Sequence, residues 1–176
     1  MSRLFPPLIL FMLIILQGIN FLFIPDSFEA SGFIVTIHGV FVFLIMIGLY
    51  YDEETSYYSF LYAILSGLVL DIVYSQIIGV YMFSYAVVIY VIHHLRKVLH
   101  VNFYVSSFVF FLAIILVDGM IYWLYQLIGI TGLSIQDYLE QRLLMTLAMN
   151  YLVFLIQFML FKRLLARYSF ERFEQK

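Results

Sequence analysis

The chain has 176 residues, of which 65% are hydrophobic and only 11% charged, with a formal net charge of -2 and no cysteine. A soluble domain carries about a quarter charged residues, so water is excluded as the main solvent, and the absence of thiols excludes disulfides, thiolate metal centres and cysteine nucleophiles. A mean hydropathy of +1.03, with apolar runs long enough to cross roughly 30 Å of hydrocarbon, indicates a polytopic membrane protein.

The runs lack the alternation of barrel strands, so the spans are helices whose backbone groups pair within each segment. The first is predicted over Leu4 to Ile24. No small-residue cleavage site follows it; Ile24-Pro25-Asp26-Ser27-Phe28-Glu29 stands there instead, so it reads as an uncleaved span. The second is predicted over Phe33 to Tyr51 and holds a lone His38. After it, Asp52-Glu53-Glu54 reads as a solvated loop. The crowd of Tyr50, Tyr51, Tyr57, Tyr58 and Tyr62 reads as interfacial anchoring or as part of a protein-binding surface.

The third and fourth spans are predicted over Tyr57 to Tyr74 and Ile77 to Leu95, separated only by Ser75-Gln76 and Gly79. A single helix there would overshoot the bilayer nearly twofold at about 1.5 Å per residue, so two are expected. Ser59, Ala63, Gly67, Asp71 and Ser75 recur every fourth residue and form one narrow ridge, where small side chains admit a close helix neighbour. Asp71 on this ridge has two readings. An ionisable group in a span is a candidate functional site, and a carboxylate near Ile77 to Gly79 also suits the free N–H groups where the fourth helix starts.

His93, His94 and His100 cluster beside Arg96 and Lys97, but without an interleaved carboxylate or an HExxH pair no metal site is expected. The fifth span, Val101 to Leu127, carries Asp118, Tyr122 and Gln126 at successive turns, a polar strip expected to face inward or line a pathway. The sixth, Gln141 to Leu164, has Thr146, Asn150 and Gln157 on one face, suited to interhelical hydrogen bonds. The tail from Phe161 to Lys176 mixes basic and aromatic residues and reads as an amphipathic helix at an anionic surface or as a topology anchor. No GxSxG elbow appears, and no enzymatic activity is expected.

Lys and Arg gather in cytoplasmic segments. With the N-terminus inside, Arg3, Arg96, Lys97, Lys162, Arg163, Arg167, Arg172 and Lys176 share one side, and Arg142 alone lies near the other, where Asp26, Glu29, Asp137 and Glu140 fall. Both termini are therefore expected in the cytoplasm. The whole chain reads as one membrane domain of six helices in a compact bundle, with residues 165–176 as a basic tail.

Gly67-Leu68-Val69-Leu70-Asp71-Ile72-Val73-Tyr74-Ser75, followed by Ile78-Gly79-Val80 and an apolar span, resembles the MreD rod-shape-determining family of bacteria. Gly67, Asp71 and Gly79 match that family's Gly, Asp and Gly pattern. The resemblance implies a non-enzymatic subunit, without cofactor, in the cytoplasmic membrane. It would bind the single-span protein MreC and, through it, the wall-synthesising transpeptidase and glycosyltransferase and the actin-like MreB. It also implies a fold like the substrate-binding subunits of energy-coupling-factor vitamin transporters. The leading expected seat for the partner helix is the ridge of Ser59, Ala63, Gly67 and Asp71. A transport subunit, with Asp118 and Gln126 as ligands of a small molecule, is the rival reading. The first span lacks the Ala-rich stripe such subunits use for docking.

Overall fold

The computed structural model describes residues 4–19, 32–53, 55–75 and 77–173. The end of the first expected span, the first loop with Asp26 and Glu29, and Arg3, Glu54, Gln76 and Lys176 lie outside the described residues. The described residues form six helices and no strand: α1 Phe5–Gln17, α2 Gly39–Tyr50, α3 Tyr58–Leu70, α4 Val80–Arg96, α5 Phe103–Leu127 and α6. Helix α3 runs on into a π-helical turn, Asp71–Ser75. Helix α6 joins Ile135–Asp137, a π-helical turn Tyr138–Leu143, and Leu144–Phe173. Three stretches, Tyr58–Ser75, Phe103–Leu127 and Ile135–Arg172, are long and apolar enough to cross a membrane; Phe5–Gln17, Gly39–Tyr50 and Val80–Arg96 are shorter apolar helices.

Helix α2 is the axis of the bundle. It is apolar around its whole circumference, as a core helix or a membrane span is, and every residue from Val40 to Ile47 has no exposed surface. It touches each of the other five helices. Its 12 residues reach only about 18 Å, too short for the hydrocarbon core.

The stretch expected as one helix over Phe33 to Tyr51 begins instead with non-helical chain, residues 33–38, which can add at most about 20 Å. Four consecutive β-branched residues, Ile34-Val35-Thr36-Ile37, explain the conformation, since their stiff side chains favour extended over helical backbone.

The basic tail continues α6 rather than forming a separate helix. Leu165 is fully buried, Tyr168 packs on Phe5 at 4.9 Å, and Ser169 Oγ donates to the Tyr51 carbonyl at 2.8 Å. The Arg172 guanidinium lies 3.8 Å over the Tyr58 ring and donates to the Tyr51 hydroxyl. The tyrosine crowd is thus largely spent inside the chain: Tyr51 and Tyr58 hold α6, and Tyr50 bonds Ser106 at 2.6 Å. These contacts tie the end of α6 to the α2–α3 turn.

Candidate functional site

Two aspartates start two helices. The Asp71 carboxylate has no exposed surface and accepts the N–H groups of Gly79 and Tyr81, each at 2.8 Å, and of Met82 at 3.1 Å. Ser75 Oγ lies 3.3 Å from the same carboxylate. Gly79, at φ +111, takes a left-handed conformation that aims these amides back at α3, a geometry that favours glycine. The charge thus sits on otherwise unpaired donors at the positive end of α4.

At the opposite end of α3, Asp52 does the same, accepting from the N–H groups of Tyr58 at 3.2 Å and Ser59 at 2.9 Å and from the Ser59 hydroxyl. The expected solvated acidic loop is corrected at Asp52, which is fully buried, whereas Glu53 is exposed. Its burial raises the carboxyl above its ordinary range, opposed by the Ser59 hydrogen bonds and the charges of His93 and Arg96.

The small-residue ridge is filled from within. Ser59 faces Asp52 and Gly48, Ala63 is fully buried, and a Cβ on Gly67 would come within 2.6 Å of the Met82 Cα. Helix α4 lies in the groove that small residues open. At Gly67 a partner helix would have to displace α4, so within this chain the ridge of Ser59, Ala63, Gly67 and Asp71 is in use as an internal packing motif.

Asp118, on α5, is the centre of a second arrangement. Arg142 Nη2 donates to its Oδ1 at 2.7 Å and Arg142 Nε approaches both oxygens at 3.2 and 3.3 Å, a forked contact. The Tyr138 hydroxyl donates to Oδ2 at 3.0 Å, and His38 Nε2 lies 3.2 Å from Oδ1. Asp118 and His38 are fully buried and the Arg142 side chain is 14% exposed. Tyr138 and Arg142 are both placed by the π-helical turn of α6, and His38 by the end of the extended segment. Tyr122 stacks on Tyr138 at 4.2 Å and donates to the Leu133 carbonyl. Gln126, expected on the same inward strip, is exposed at the far end of α5.

Thr146, Asn150 and Gln157 form a third arrangement, clasping the extended segment. Asn150 Oδ1 accepts from the His38 N–H at 2.7 Å, while its Nδ2 donates to the carbonyls of Thr36 at 2.7 Å and Thr146 at 2.8 Å. Thr146 Oγ1 accepts from the Thr36 N–H at 3.3 Å, and Gln157 Nε2 donates to the Gly39 carbonyl at 2.9 Å. Buried non-helical backbone needs hydrogen-bond partners from elsewhere in the protein, and one face of α6 supplies them.

A cleft of about 540 Å³ lies between α1 and α6, walled by Leu13, Leu16, Leu152 and Ile156 and floored by Ile37 and Gly39. Gln17 and Gln157 line it as well; Gln17 is hydrogen-bonded with Tyr85, and the Gln157 Oε1 is buried without a partner among the described residues.

A family model described as rod shape-determining protein MreD matches residues 1–169. The chain belongs to the MreD family. It is 27% identical over 107 residues to the rod shape-determining protein MreD of Bacillus subtilis (strain 168), a match covering 59% of this chain and 62% of that relative. No solved structure matches the chain, so the likeness to vitamin-transporter subunits gains no support from that comparison. Both the family and this relative are described as rod shape-determining, and the match spans less than two thirds of the relative's length.

In this MreD-family chain the Gly67, Asp71 and Gly79 pattern is the α3–α4 junction itself: close approach, cap and turn. Reading the sequence missed Arg142 and His38 as the partners of Asp118. A signal was present, since a cation isolated on the acidic side of the membrane calls for a buried anion. Among the described residues no three His, Asp or Glu side chains converge as metal ligands.

Proposed function

We propose that this chain is a non-catalytic scaffold in the bacterial cytoplasmic membrane, with both termini in the cytoplasm. It holds the spanning helix of an MreC-like protein and, through it, the wall-elongation enzymes and MreB. The observation that carries this reading is the contrast between a closed polar interior and an open apolar cleft. Asp118, the residue a transport subunit would offer its ligand, has both oxygens filled by Arg142, Tyr138 and His38, and Gln126 is exposed rather than beside it. The cleft between α1 and α6 is apolar along its walls, and Gln157, which lines it, carries an unpaired amide oxygen that a hydroxyl or amide donor on a partner helix would satisfy.

The test is gentle detergent purification of the tagged full chain from its native membrane, with mass spectrometry of what remains bound. An MreC-like single-span protein is expected, and Leu152→Trp, which fills the cleft from its exposed wall, should lower its recovery at unchanged expression. Recovery of transporter ATPases with their coupling subunit would overturn the scaffold reading.

A further inference from the structure

At the basic end of the bundle, a cleft of about 310 Å³ opens between the α2–α3 turn and the α4–α5 turn. Its charged and titratable walls are His93, Arg96, Lys97, His100 and Glu53. Arg96 is anchored through Nη1 to the Asp52 carbonyl, which holds one wall of the cleft in place. Lys97 is exposed and meets no carboxylate in an ion pair among the described residues. Arg96 and Lys97 bring two cations to the wall against the one lining carboxylate, Glu53, while the nearby Asp52 carboxylate is occupied by the start of α3. That balance suits a singly charged phosphate group and disfavours a polyphosphate.

Apolar surface adjoins this charge. Val98, in the cleft wall, is 81% exposed. One turn beyond Val101, the outer face of α5 shows Tyr104, 82% exposed, then Phe108, Leu112 and Ile115 at helical spacing. A cationic pocket at the mouth of an apolar, lipid-facing stripe matches an amphiphile with a phosphate head and hydrocarbon chains.

We propose that this cleft binds a singly charged phosphate group, supplied by a membrane lipid headgroup whose acyl chains lie along the outer face of α5. The same phosphate chemistry is available from free phosphate, and the experiment separates the two. The full chain in neutral detergent is titrated with dioleoyl phosphatidylglycerol, with dioleoylglycerol, and with inorganic phosphate, and bound adducts are counted by native mass spectrometry.

Phosphatidylglycerol is expected to bind where dioleoylglycerol does not, with Lys97→Gln weakening it about fivefold, the worth of one cation near a membrane surface. Arg163→Gln, a charge-matched change at the same end of the bundle, should leave it unaltered. Lys97-dependent binding of inorganic phosphate alone would assign the cleft to a soluble ligand and overturn the lipid. Equal losses in the two variants would reduce the effect to diffuse surface attraction and overturn the site. Lys97 is the residue changed because Arg96 also supports the Asp52 turn.

Discussion

Asp71 and Asp118 are both carboxylates with no exposed surface, yet they are compensated in different ways. Asp71 is surrounded by backbone N–H groups 8 to 11 residues along the chain, dipoles that any sequence supplies once the turn forms. Asp118 is matched by a full cation 24 residues away and an imidazole 80 residues away. The first is a local device that starts a helix. The second is a tertiary lock that requires α5, α6 and the extended segment to be in place together. A buried ion pair need not add stability over an apolar substitute, but breaking it from one side strands a charge.

The sharpest way to break this comparison is Arg142→Met, which leaves Asp118 buried without its cation. A loss of about 3–5 kcal/mol is expected in reversible unfolding in detergent micelles. The double change Arg142→Met with Asp118→Leu should recover most of it; a double variant no better than the single would show that the pair is not acting as a unit. Asn150→Leu comes next, since it orphans the His38 N–H and the Thr36 carbonyl; about 1–3 kcal/mol is expected, with hydrogen exchange rising at residues 36–38 before elsewhere.

Asp71→Ala is expected to be milder, about 1–2 kcal/mol, because water or residual dipoles partly replace a cap. Asp71→Asn should retain roughly half of the stability lost in the alanine form. An asparagine as damaging as alanine would mean that the charge, not the acceptor, matters at the α4 start. Smallest of the four, Gly79→Ala should cost about 1 kcal/mol from the left-handed backbone, read as a lowered midpoint with the fold unchanged.

The split between local and tertiary devices also explains how much the sequence revealed. Hydropathy located the six helices because desolvation acts residue by residue. The capping option for Asp71 was visible because its donors follow within a dozen positions. The His38, Asp118 and Arg142 set was not, since separations of 24 and 80 residues leave no periodic trace. Helical spacing placed Gln126 with Asp118, but periodicity alone does not decide burial. The extended stretch before α2 was counted as helix because an apolar run reads alike in either conformation; its β-branched residues were the overlooked distinction. The Gly67 ridge was recognised as a contact, but spacing does not tell a neighbour within the chain from a foreign one.

The extended segment has a consequence for how the chain is made. The partners of its backbone on α6 stand 107 to 114 residues later, so while the ribosome is still supplying α3 to α5, residues 34–38 lack these groups and are unsuited to bare hydrocarbon. Delivery of α2 into the lipid phase must therefore be provisional, sheltered by the insertion machinery or held at the interface, until α6 emerges. The helix at the centre of the bundle is among the first to be synthesised and one of the last to be settled.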